Sequence, residues 1–83
     1  DLAHEIRWGR VEETFGEDPY LTSRLGVNLV KGMQGNDLRD NNTVASEPKH
    51  FGIHGIPESG TNASSVNIGE REARSIYILS KKR

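Results

Sequence analysis

Residues Val44 to Phe51 read VASEPKHF, an extended apolar run that ends in a polar pair. Thr43 to Ala45 favour a strand, and Lys49 and His50 follow at its carboxyl end. Successive strand side chains point to opposite faces, so the pair can serve one rim only where the backbone turns. In parallel α/β barrels the functional residues lie at the carboxyl ends of the strands. The Lys-His pair is therefore a candidate functional site. The same residues could also be a charged residue that ends a strand and a histidine that hydrogen-bonds its neighbours. Both interpretations stay open here.

The segment before this strand predicts an amphipathic helix. Asp18 is a typical N-cap, and Pro19 suits the first helical position. Gly32 and Gly35 supply the predicted stop. Apolar residues recur at four-residue spacing between these signals, at Leu21, Leu25, Leu29 and Met33. One face of the helix is therefore apolar, and we expect it to pack against another element.

The segment after the strand predicts a long loop and a second helix. The connection from Gly52 to Ile68 is of the kind that lines a site. The helix begins near Gly69 and ends in the basic residues 81–83. Its apolar positions are Ala73, Ile76, Tyr77 and Ile78. The predicted order of loop, helix, strand, long loop and helix indicates an α/β architecture.

Composition limits the class of protein. With 83 residues, of which 33% are hydrophobic, the chain is one small domain or a piece of a larger one, and we expect a piece. The absence of cysteine excludes disulfides and thiolate zinc sites. Eleven basic residues against 12 acidic ones predict no nucleic-acid partner and no binding to an anionic membrane. No stretch approaches the length of a membrane span. The compartment is left undetermined.

Three motifs follow one another along the chain. Residues Arg7 to Leu21 read RWGRVEETFGEDPYL, the Lys-His pair is followed by Phe51, and residues Asn67 to Glu72 read NIGERE. Together they resemble the family 3 glycoside hydrolases, the β-glucosidase and β-xylosidase family, from Asp1 to about residue 79. The resemblance implies that residues 1–83 are part of the N-terminal catalytic barrel domain, a TIM-like (β/α)8 fold. A complete barrel takes about 250 residues.

The resemblance also implies a function for the parent protein. It would be a retaining β-glycosidase that hydrolyses terminal non-reducing β-D-glucosyl or xylosyl residues. Arg10, Lys49 and His50 would hold the sugar in subsite −1. The partners implied are a β-glucoside or oligosaccharide substrate, the rest of the barrel and a second domain. The residue types suit this role, because guanidinium, ammonium and imidazole groups can hydrogen-bond the neighbouring hydroxyls of a sugar. No cofactor is expected.

Catalytic carboxylates are not expected within these residues. A retaining glycosidase needs two carboxyl groups about 5 Å apart. In the family the nucleophilic aspartate lies on a later strand, and the acid/base usually comes from another domain. Glu12 and Glu13 are adjacent and rarely face one bond, so we interpret them as partners of Arg7 and Arg10. Trp8 is predicted to be buried as a packing residue rather than to stack on sugar.

Two alternatives remain. The β-N-acetylglucosaminidase branch of the family also carries a His-Gly, here His54 and Gly55, but follows it with Asp-Ser-His, whereas residues 56–62 read IPESGTN. A non-catalytic sugar-binding or structural remnant would keep the three binding residues without a carboxylate pair. His50 and His54 also have metal-like spacing, but the glycines around them and the lack of a third ligand predict no metal site.

Overall fold

The computed structural model describes residues 1–78 of the chain. A 3-10 turn spans Val11–Glu13, and helix α1 spans Pro19–Gln34. Helix α2, Glu70–Glu72, continues directly into a π-helical segment, Ala73–Ile78. The rest of the described chain is turns, bends and irregular backbone. Within residues 1–78 no helix is both long enough and apolar enough to cross a membrane.

Helix α1 begins as the sequence predicts. The Asp18 carboxylate accepts hydrogen bonds from the backbone N–H groups of Tyr20 at 2.8 Å and Leu21 at 3.2 Å. These are two of the N–H groups that have no partner within the helix itself. The helix ends at Gly35, whose φ of 57° lies in the left-handed region. Gly32 lies inside the helix, so its predicted role in the stop is wrong.

The apolar face of α1 is present but largely uncovered. Leu25, the least exposed residue of the four-residue series, is still 39% exposed, and Leu29 is 52% exposed. The only buried residue of the helix is Ser23. The described residues therefore cover this face only in part, and they do not bury it as we expected for a helix packed against another element.

The core lies between the N-terminal segment and the second helix. Its buried apolar residues are Leu2, Trp8, Ala73 and Tyr77. His4 bridges the two parts, because its Nδ1 lies 2.8 Å from the Tyr77 hydroxyl and its Nε2 lies 2.7 Å from the Glu17 carbonyl oxygen. The predicted start of the second helix near Gly69 is confirmed, since Gly69 is the N-cap. The basic end predicted at residues 81–83 lies outside the described residues.

The predicted strand is not formed in the described chain. Residues 43–48 form no regular element, and two of them hydrogen-bond the end of α1: the Val44 N–H donates to the Met33 carbonyl, and the Ser46 N–H donates to the Gln34 side chain, each at 3.0 Å. A strand exists only where a second extended segment pairs with it, and neighbouring parallel strands are supplied by other β/α units. Pro48 offers no N–H for such pairing. Residues 1–78 therefore show helices, turns and irregular backbone without a sheet.

Candidate functional site

His50 is held by the first residue of the chain. One carboxylate oxygen of Asp1, Oδ1, accepts a hydrogen bond from the His50 backbone N–H at 2.9 Å, and the other, Oδ2, lies 2.9 Å from the His50 Nδ1. The Asp1 side chain is 9% exposed, against 40% for His50. The peptide bond between Lys49 and His50 is cis. The fold thus brings the amino-terminal segment against the Lys-His pair.

His54 forms a link between His50 and the core. Its ring centroid lies 4.1 Å from that of His50, and its other neighbour is the indole of Trp8, in an edge-on contact at 5.3 Å. Burial lowers the pKa of His54, and the positive charges of His50, when its ring is protonated, and of Arg10 lower that pKa further. The His54 ring therefore contacts both the His50 ring and the Trp8 indole.

Trp8 is the buried end of this row of three rings, which His54 joins to His50. It is 2% exposed, which confirms the predicted packing role. Its Nε1–H donates to the Asn62 side-chain oxygen at 3.0 Å, so the one polar atom of the buried indole is satisfied. The Arg10 guanidinium carbon lies 6.0 Å from the centroid of the Trp8 ring system, at the outer limit of a cation–π contact.

Arg10 is oriented by Glu13 from the 3-10 turn. Two parallel hydrogen bonds join them, from Nε to Oε1 at 2.9 Å and from Nη2 to Oε2 at 2.7 Å. These hydrogen bonds lower the pKa of the Glu13 carboxyl, and the charges of Lys49 and of His50, when its ring is protonated, lower that pKa further. All three predicted site residues, Arg10, Lys49 and His50, therefore influence the pKa of the Glu13 carboxyl. The predicted partnership of Glu13 with an arginine is confirmed.

Arg7 has a different partner from the one predicted. Glu5 accepts three hydrogen bonds from Arg7: from Nε at 2.9 Å, from Nη2 at 2.8 Å and from the backbone N–H at 2.9 Å. The hydrogen bonds from the Arg7 side chain and from its backbone N–H together lower the pKa of Glu5 to about 2. Arg7 also donates to the Glu58 carbonyl at 3.1 Å. This contact ties the start of the chain to the long loop, where Gly60 approaches Arg7 so closely that a Cβ there would lie 2.7 Å from that of Arg7.

Asp1 is the residue of this site that the sequence analysis missed. Its ligand atoms and those of His50 and His54 lie within 4.8 Å of one another, so the structure supplies the third potential metal ligand that the sequence did not reveal. A carboxylate oxygen already hydrogen-bonds the His50 ring, and an ion would have to separate these two atoms. We interpret the arrangement as a hydrogen-bonded pair, and the expected absence of a metal stays a prediction.

Similarity to known proteins fits this geometry. Residues 1–81 match the family model described as "Glycosyl hydrolase family 3 N terminal domain", and the chain belongs to this family. That domain is of the TIM-barrel type, which confirms the predicted fold class at the level of the family. The predicted succession of elements is observed here only as its helices and loops.

Individual relatives support the same family. A beta-xylosidase of Formosa agariphila is 44% identical over 92% of this chain and 11% of its own length. A periplasmic beta-glucosidase of Salmonella typhimurium is 38% identical over 94% of this chain and 10% of its own length. A xylan 1,4-beta-xylosidase of Xylanibacter ruminicola is 50% identical over 94% of this chain and 9% of its own length. The chain thus spans about a tenth of these relatives.

Proposed function

We propose that the protein containing this chain is a retaining β-glycosidase that removes terminal non-reducing β-D-glucosyl or β-D-xylosyl residues. In this proposal Arg10, Lys49 and His50 bind the sugar in subsite −1. The observation that carries it is that Arg10 lies 6.0 Å from the Trp8 ring and His50 packs against His54, while the charge of Lys49 lowers the pKa of both Glu13 and His54. Membership of the glycosyl hydrolase family supports a sugar as the ligand.

The donors of Arg10 suit a polyhydroxyl ligand. A guanidinium has five N–H donors in a fixed plane, and Glu13 accepts from one at Nε and one at Nη2. Because Glu13 fixes that plane, the Nη1 side of the fork is presented in a defined orientation. Neighbouring sugar hydroxyls match such a fork, whereas a lysine at this position would offer a point charge without the same geometry.

The three residues act on binding and on the approach to the transition state. Hydrogen bonds to a sugar accelerate hydrolysis only where they tighten as the ring distorts toward an oxocarbenium-like state. The two carboxyl groups that break and form the glycosidic bond lie, in this proposal, in the rest of the protein. The chain described here holds the ring in place while those groups act.

The test uses the full-length protein and aryl β-D-glucoside and β-D-xyloside substrates. Arg10→Gln removes charge-assisted hydrogen bonds worth about 1.5–3 kcal/mol, so kcat/KM should fall roughly 10- to 150-fold. Arg39→Gln is the matched control, because Arg39 makes a similar two-point pair with Asp37 in an exposed turn. Equal kcat/KM for the two variants would contradict the proposed role of Arg10.

The same assay separates the alternatives. Hydrolysis of an aryl β-N-acetylglucosaminide in preference to the glucoside and xyloside would favour the β-N-acetylglucosaminidase branch. Sugar binding by the full-length protein without hydrolysis of any of the three substrates would favour a non-catalytic remnant. The names of the xylosidase and glucosidase relatives support the xyloside and the glucoside as substrates.

A further inference from the structure

The two-point contact between Asp1 and His50 has a consequence for the proton on the histidine ring. An ionised carboxylate only accepts hydrogen bonds, so the Nδ1 that faces Asp1 Oδ2 at 2.9 Å must carry a proton. In the neutral imidazole the lone pair then resides on Nε2. The second hydrogen bond, from the His50 backbone N–H to Oδ1, fixes the carboxylate relative to the main chain.

We propose that Asp1 is a positioning residue that holds His50 in the Nδ1–H tautomer and presents its Nε2 to a sugar hydroxyl. The inference rests on the proposed function, in which His50 contacts the sugar. Asp1 acts through His50 and touches no substrate itself. His54 contributes from another direction, because its ring packs 4.1 Å from the His50 ring, centroid to centroid, and restricts rotation of that ring.

Asparagine at position 1 would keep the shape and reverse the tautomer. The carboxamide has one acceptor oxygen and one NH₂ group, whereas Asp1 uses both of its oxygens as acceptors. The backbone N–H of His50 is always a donor, so it takes the single oxygen. The NH₂ group then faces Nδ1, which must become the acceptor, and the ring proton moves to Nε2. The Asp1→Asn variant therefore changes what Nε2 offers to a hydroxyl.

Kinetics with monodeoxy substrates test this in the full-length protein. The ratio of kcat/KM between an aryl β-glycoside and each of its monodeoxy analogues is measured first for wild type and for His50→Ala. The hydroxyl whose ratio shrinks in His50→Ala is the one that His50 binds. Asp1→Asn should lower kcat/KM on the parent substrate about 2- to 12-fold, and should shrink the ratio for that same hydroxyl and no other.

Asp18→Asn is the matched control, because it is the same chemical change as Asp1→Asn, and Asp and Asn both serve well as the N-cap of α1 at position 18. It should leave every ratio unchanged. If Asp1→Asn keeps the wild-type ratios, or lowers kcat/KM equally on all substrates, the positioning role is refuted while the sugar contact of His50 stands. If His50→Ala itself changes no ratio, the proposed sugar contact fails, and the role of Asp1 fails with it.

A second measurement uses the wild-type protein and so does not depend on whether a variant at position 1 folds. In wild-type protein with ¹⁵N-labelled histidine, at a pH where the ring is neutral, the ring nitrogens of His50 should show a protonated Nδ1 and an unprotonated Nε2. The resonances are assigned by their loss in His50→Gln. The opposite tautomer would overturn the proposal.

Discussion

Replacement of Gly55 by alanine should disrupt the support under the candidate site. Gly55 is buried and has a φ of 87°, in the region that favours glycine. A Cβ at this position would lie 2.7 Å from the Leu2 carbonyl oxygen and 2.9 Å from Cζ3 of Trp8. Neither neighbour is the end of a flexible side chain, so the added methyl group must displace the backbone or the indole.

The magnitude follows from two separate penalties. A left-handed backbone costs an alanine about 1–2 kcal/mol, and an extra methyl group in a packed site costs about 1–3 kcal/mol. Gly55→Ala should therefore lower the free energy of unfolding by about 2–5 kcal/mol. Gly52→Ala is the matched control, because Gly52 has the same φ of 87° but a Cβ there meets no atom within 4 Å. Gly52→Ala should therefore lower the free energy of unfolding only by the cost of the left-handed backbone, about 1–2 kcal/mol.

Urea unfolding of the full-length variants measures this difference at the transition of the N-terminal domain. Gly55→Ala should unfold at a lower urea concentration than Gly52→Ala. It should also lower kcat/KM, since the displaced Trp8 contacts both His54 and Arg10. Equal destabilisation by the two substitutions would refute the close approach of Gly55 to Trp8 and Leu2.

Three further predictions concern the helix cap, an ion pair and the isolated chain. Asp18→Ala should lower the free energy of unfolding by about 1 kcal/mol in urea titrations, and Asp18→Asn should lower it much less, because both Asp and Asn accept the N–H bonds at the start of α1. The Glu5–Arg7 pair lowers the pKa of Glu5 from its ordinary 4.5 to about 2, so its stabilising effect is fully present above pH 4.5 and is lost as the pH falls toward 2. The difference in melting temperature between wild type and Glu5→Gln should shrink over that range, and a constant difference would contradict the pairing. The purified 83-residue chain should hydrolyse no aryl β-glycoside, because the reaction needs a pair of carboxyl groups that we expect in the rest of the protein; measurable turnover would contradict that expectation.

Helix positions could be predicted because their signals are local. Asp18, Pro19 and Gly35 act on backbone groups within a few residues, and they place the ends of α1 where the structure has them. Gly32 was misjudged because a glycine inside a helix is tolerated at a modest cost. The strand at Val44 to Phe51 could not be confirmed in the same way, since a strand depends on partners distant in sequence.

The candidate site residues could be named for the same reason. Arg10, Lys49 and His50 stand in local sequence motifs, and their role in binding sugar stays a prediction. Asp1 carries no signal of its role, because its contact with His50 spans 49 residues of sequence. The partner of Arg7 was misjudged because several acidic residues lie nearby in sequence, and the backbone turn selects Glu5.

The most direct test of the central claim is a crystal structure of the full-length protein with glucose or xylose bound. The account predicts one sugar ring with hydroxyl oxygens within about 3.2 Å of side-chain nitrogens of Arg10, Lys49 and His50. It also predicts that Asp1 remains hydrogen-bonded to His50 in that complex. A sugar bound elsewhere in a catalytically competent site, without contact to these three residues, would contradict the account.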